Sequence, residues 1–116
     1  MHELGITRSI VAIAAESAGG LRVKRVIVAI GELSGIDADA VRFCFDICAK
    51  GTVVESAKLE IERVPGRGRC AACELEAALT TPYGACAACN APLRVIGGEE
   101  LKVKAMEVDD VRDMRV

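Results

Sequence analysis

The sequence predicts an α/β protein, a small sheet of about three strands with two helices, from which a cysteine-stapled module projects. Three observations lead there. Val26-Ile27-Val28-Ala29-Ile30 is a continuous apolar run rich in β-branched residues, the pattern of a strand covered on most of its surface. The segments before and after it carry apolar residues at spacings of three and four, the mark of helices that bury one face. Finally, two Cys-x-x-Cys pairs, Cys70–Cys73 and Cys86–Cys89, are separated by twelve residues. Each such turn aims two thiolates at one point, and two turns can close a tetrahedron around one ion. Four thiolates with no open position suit structural zinc, so the module reads as zinc-ribbon-like with a four-cysteine zinc site.

Composition bounds the rest. The chain has 116 residues, room for one compact domain and a small module. Aromatics make up only 3%, so the core must be built from Val, Ile, Leu and Ala. A net charge of -2 gives no strong pull toward nucleic acid or an anionic membrane surface. No apolar run approaches the length of a membrane span. Met1-His2-Glu3 has no basic start and no following apolar run with a small-residue cleavage site, so no secretory leader is read. The expectation is a cytoplasmic protein.

Taken in order, residues 3–18 read as a helix. Ile6, Ile10, Ile13 and Ser17 form its core-facing stripe, with Val11 and Ala14 beside it, and Gly19-Gly20 ends it. Residues 22–31 form the apolar strand. Gly31 and Gly35 frame a turn, and Asp37 is a good N-cap for a second helix over about 38–50. Its apolar face carries Val41, Phe45 and Cys48, with Cys44 alongside. Lys58-Leu59-Glu60-Ile61-Glu62 alternates with period two, as a half-exposed strand does, and Pro65-Gly66 breaks it. After Cys89, two strand-like segments flank Gly97-Gly98, a turn that feeds a last strand back into the main sheet. The division expected is 1–66 with 94–116 for the body and 67–93 for the zinc module.

Other readings of the cysteines are weaker. Paired disulfides need an oxidising compartment. A thioredoxin-like redox motif sits where a strand enters a helix, and neither pair is so placed. Cys44 and Cys48 lie one helical turn apart, which suits a metal or redox pair. Beside Phe43, Phe45 and Ile47 they read instead as small buried hydrophobes.

A zinc ribbon can serve as a nucleic-acid adaptor. That needs basic residues for phosphate and aromatic platforms for bases. From Cys70 to Cys89 there is no Lys or Arg, and Tyr83 is the only aromatic. Glu74 and Glu76 add negative charge, as does a zinc tetrathiolate. Only Arg63, Arg67 and Arg69, just outside, oppose it. Nucleic acid is therefore excluded as the expected partner. A closed four-sulfur site also leaves no position for a catalytic water.

His2 is the only histidine. Alone it would read as a surface residue, but its position offers more. The Met1 α-amine, the His2 amide nitrogen and the His2 Nδ1 close two fused chelate rings, of five and six members. Three in-plane nitrogens favour square-planar Ni(II) or Cu(II). The fourth position falls to Glu3 or to a partner. Methionine removal requires a small second residue, so Met1 is expected to be retained. There is no nucleotide-binding glycine loop, and no enzyme is expected.

At this point the residues resemble the HypA/HybF family of hydrogenase-maturation nickel metallochaperones. The likeness runs through Met1-His2-Glu3-Leu4, Ser9-Ile10-Val11, Gly31-Glu32-Leu33-Ser34-Gly35, Arg42-Phe43-Cys44-Phe45, Lys50-Gly51-Thr52, both CxxC pairs, Gly97-Gly98-Glu99-Glu100-Leu101 and Met106-Glu107-Val108. The resemblance implies a two-helix, three-stranded nickel-binding domain carrying a zinc domain. It implies delivery of Ni(II) to the precursor of the [NiFe]-hydrogenase large subunit, with the GTPase HypB as partner, and service to urease in some relatives. Carried over, His2 is the nickel ligand with the Met1 amine and Glu3 beside it, and Cys70, Cys73, Cys86 and Cys89 bind zinc. One departure stands out. Many relatives have Pro inside the second pair and Gly after it, where this chain has Ala87, Ala88 and Asn90. Asn tolerates the left-handed backbone that such a position demands.

Overall fold

Helix α1 (His2–Ala18) opens the computed structural model, which describes residues 2–109. Gly19 and Gly20, at φ 59° and 91°, end the helix with backbone that residues bearing a Cβ rarely adopt. Its buried face runs through Thr7, Ile10, Val11, Ala14 and Ala18. This is a correction to the expected stripe: Ile13 is 50% exposed and Ser17 lies at the surface. The smaller series 7-11-14-18 lets the helix approach its neighbours closely, and Ile13, one position off that line, is rotated outward. Thr7 is polar yet fully buried. Its hydroxyl is satisfied by donating to the Glu3 carbonyl one turn back.

Strand β1 (Val23–Gly31) follows, then helix α2 (Ala38–Ala49) and strand β2 (Lys58–Val64). Asp37 caps α2 as expected: its Oδ1 accepts from the Asp39 and Ala40 amides at 2.9 and 3.4 Å. The buried face of α2 is Ala38, Val41, Phe45 and Ala49. Cys44 and Cys48 fall on its flank and are half-buried, less enclosed than their apolar neighbours suggest. Phe43 and Ile47 are 75% and 60% exposed, so most of their apolar surface faces solvent rather than the protein interior.

Among the described residues, six strands form two three-stranded sheets. The first has the order β2-β1-β6, where β6 is Leu101–Val108. β1 is central, which explains why Val26, Val28, Ala29 and Ile30 are all buried. Arg25 on β1 reaches Glu60 on β2 at 2.7 Å and Glu107 on β6 at 3.6 Å, and Lys104 on β6 reaches Glu62 on β2 at 2.8 Å. These exposed charges dress the polar side of the sheet. The second sheet has the order β4-β3-β5, from β3 (Gly66–Cys70), β4 (Glu76–Leu79) and β5 (Leu93–Gly97), with both neighbours antiparallel to β3.

The chain divides into two compact units. Among the described residues, one gathers 2–29, Ile36–Glu62 and 102–109. The other gathers Ile30–Gly35 and Arg63–Leu101. The core of the first is the buried side of α1, α2 and β1, with Val54 and Ala57. In the second, the Gly31–Gly35 turn is bound to strand ends far along the chain. Gly31 N–H donates to the Glu100 carbonyl at 2.7 Å, Glu32 N–H to Val64 at 2.8 Å and Leu33 N–H to Gly98 at 2.7 Å. A Cβ at Gly31 would collide with the Gly98 carbonyl, so only glycine permits this approach.

Candidate metal centre

The second sheet delivers the four cysteines. Cys70 ends β3, and the chain turns back at once: the Glu74 amide donates to the Cys70 carbonyl at 2.9 Å and the Cys70 amide to Leu75 at 2.8 Å. The second pair repeats the turn. The Asn90 amide donates to the Cys86 carbonyl at 2.7 Å and the Cys86 amide to Ala91 at 2.7 Å. An Ala85–Pro92 bridge holds the base of this second knuckle.

The four sulfurs converge, all within 4.8 Å of one another. Cys70 and Cys89 sulfurs are 3.4 Å apart, Cys73 and Cys86 3.5 Å, Cys73 and Cys89 3.9 Å. A tetrahedral zinc with bonds of about 2.3 Å sets its sulfurs about 3.8 Å apart, so the donor set fits such an ion in number, type and size. Among the described residues it is the one place where three or more Cys, His, Asp or Glu ligand atoms meet. Cys70 and Cys86 are buried, while Cys73 and Cys89 are exposed.

Backbone amides favour the thiolate form at two of the sulfurs. The Cys73 amide points at the Cys70 sulfur from 3.4 Å. This contact, aided by the Ala72 amide and opposed by burial, brings the Cys70 thiol down to about 6. The Cys89 and Ala88 amides lower Cys86 in the same way. The Leu75 amide favours the Cys73 thiolate, but the Cys86 and Cys70 sulfurs and burial outweigh it and push Cys73 up to about 12. The four sulfurs are thus pulled toward different protonation states, and a divalent cation in place of their protons would satisfy all four.

Of the other expected ligands, Glu3 lies in the first turn of α1. Met1 and the His2 side chain fall outside the described residues; the His2 backbone forms the first residue of the helix. The Glu3 carboxylate accepts the Asp37 backbone N–H at 3.1 Å, tying the start of α1 to the cap of α2. That amide, foremost, holds Glu3 below the usual carboxylate range. Near this end of the first unit, the Cys48 sulfur lies 4.0 Å from the Leu4 carbonyl.

Two features escaped the residue pattern. Glu74 stands in left-handed backbone at φ 66°, the position equivalent to Asn90 at 64°. Also, Arg67 and Arg69 on β3 both grip Glu76 on β4, at 3.1 and 2.6 Å. The signal for the second was present, since two arginines at i and i+2 on a strand share a face.

Known proteins place this geometry. The description "Hydrogenase/urease nickel incorporation, metallochaperone, hypA" matches residues 1–108. The hydrogenase maturation factor HypA of Rippkaea orientalis is 54% identical over 112 residues, covering 96% of this chain and 98% of its own. That of Geobacter metallireducens is 50% identical over 110 residues, covering 94% and 100%. Two solution structures share the fold. The Ni metallochaperone HypA from Helicobacter pylori superposes with a TM-score of 0.66 at 24% identity, over 91% of this chain and 96% of that one. A second HypA protein superposes at 0.68 with 27% identity, over 93% and 96%. The chain, with its two helices, three-stranded sheets and four converging thiols, belongs to the HypA family of nickel-incorporation metallochaperones.

Proposed function

We propose that this protein binds Ni(II) at its amino terminus and delivers it to the precursor of the [NiFe]-hydrogenase large subunit, while zinc in the Cys70–Cys73–Cys86–Cys89 cluster holds the second unit together. What carries the reading is the family match over residues 1–108, a span that includes both the amino-terminal His2 and the four thiols. The nickel ligands are the Met1 amine, the His2 amide and imidazole, and Glu3 or a partner group. The helix geometry supports the amide. Amides in the first turn of a helix have no carbonyl four residues back, so His2 can lose its amide proton to nickel without breaking a helical hydrogen bond.

Bound zinc would cross-link two knuckles that approach from different strands, and its chemistry there is structural. The nickel role belongs to the body expected at 1–66 and 94–116, the zinc role to 67–93. A carrier needs an acceptor and a trigger for release. The names of the relatives support a hydrogenase precursor as acceptor, and the GTPase HypB is the partner we infer, with urease maturation a further destination. Among the described residues no helix is long and apolar enough to cross a membrane. The place of work in this reading is the cytoplasm, where a precursor subunit is made. The test is metal analysis and nickel titration of untagged protein and its His2→Ala variant. One zinc and one nickel per chain, with nickel alone lost in the variant, is the expected outcome. Unchanged nickel affinity in His2→Ala would overturn the reading.

A further inference from the structure

The solvent face of the second sheet carries an arginine cluster that metal binding does not use. The antiparallel registers set Arg69 opposite Glu76 on one side and opposite Arg94 on the other. Arg67 lies two residues along β3 on the same exposed face, while Gly66, Gly68 and Cys70 face inward. Like charges set directly opposite in a ladder destabilise it, so the Arg69–Arg94 pair calls for a counterion. Glu76 supplies one carboxylate, and each of its oxygens takes one guanidinium hydrogen bond. A guanidinium has five donors, and no ion pair to Arg94 occurs among the described residues. Arg67 and Arg69 remain 48% and 45% exposed at their side chains. Glu76 therefore holds two guanidinia in place with most of their donors open, next to a third.

We propose that this face binds an extended acidic peptide segment of a partner protein. The Cα atoms of Arg67 and Arg69, at i and i+2, stand about 7 Å apart along the strand. Carboxylates on alternate residues of an extended peptide repeat at that same distance. Planar guanidinia bind carboxylates in pairs of parallel hydrogen bonds. Ile96 lies at the bulge between the Gly68–Val95 and Arg67–Gly97 pairs and is 43% exposed, an apolar contact beside the charged row. Nucleic acid fits less well, because the one exposed aromatic ring of this unit, Tyr83, stands on the β4–β5 connection and not on an arginine-bearing strand.

The experiment uses full-length, metal-loaded protein and a fluorescein-labelled peptide with Glu at alternate positions and Val between. Fluorescence anisotropy at low salt should show saturable binding that weakens as salt is raised. Arg94→Gln should weaken it by about fivefold to tenfold, the loss of one charge-assisted contact. Arg94→Lys should weaken it less. Lys104→Gln, on the first sheet, should leave it unchanged. No binding at millimolar peptide, equal losses from Lys104→Gln and Arg94→Gln, or an RNA oligonucleotide that binds more tightly with the same dependence on Arg94 would each overturn the proposal.

Discussion

Glu74 and Asn90 are the same residue of two copies of one turn: each follows the second cysteine of its knuckle, with φ at 66° and 64°, and each donates its amide to the carbonyl of the first cysteine. Their side chains suit that backbone unequally. Left-handed backbone costs an ordinary L-residue roughly 1–2 kcal/mol, and asparagine is one of the few that visits it readily. Glu74→Asn should therefore stabilise the metal-loaded second unit by up to about 1 kcal/mol, and Asn90→Val should destabilise it by at least as much. Chelator-driven metal release, followed at fixed pH, measures both. A faster release from Glu74→Asn would show that the Glu74 carboxylate contributes more than its backbone costs.

Cys73→Ser should release the ion and disorder roughly residues 67–92, while the first unit stays folded on its own core of Val26, Val28, Val41 and Phe45. Amide hydrogen exchange resolves the two units. Retained metal with unchanged protection over residues 67–92 would refute this.

Adding one or two residues before Met1 should abolish tight nickel binding, because the amine becomes an amide and leaves the chelate ring. The fold tolerates additions at a chain end, so zinc content should not change. Cys44→Ala should leave nickel affinity intact, since Cys44 is a half-buried flank of α2. A nickel loss in that variant with folding preserved would move the site to α2.

Nickel affinity should fall steeply below about pH 6.5, the ordinary histidine value, as protons compete for the imidazole and amine. Titrations across mildly acidic and mildly basic buffers, with zinc followed separately, check this. A flat profile would remove the imidazole from the site.

Glu76→Gln should make the second unit easier to unfold at neutral pH and not in acid. Arg69 first, then Arg67, holds the Glu76 carboxyl below its usual range. A lowered carboxyl contributes stability that is fully present above the unfolded value of about 4.3 and is lost as pH falls through the folded one. Denaturant midpoints of both proteins at neutral and acid pH give the comparison. Because these charges are exposed, the effect should shrink in high salt.

Several elements were determined by local chemistry that needs no partner in space. Asp37 announced the cap of α2, Gly19-Gly20 the end of α1, and the β-branched run the central strand, since capping, backbone freedom and χ1 stiffness act within a few residues. The two CxxC pairs announced a four-sulfur cluster because a knuckle is itself a local turn. What only the tertiary structure decided depends on neighbours that the chain brings from afar. Ile13 and Ile10 are equally apolar, and packing chose Ile10. Cys44 and Cys48 looked enclosed until Phe43 and Ile47 turned to solvent. β5 pairs with β3 rather than joining the first sheet, and the Gly31–Gly35 turn binds Val64, Gly98 and Glu100. The Arg67–Glu76–Arg69 grip and the facing Arg94 exist only once register is set. Register is a choice among long-range pairings, each stabilised by contacts that no short stretch of sequence contains.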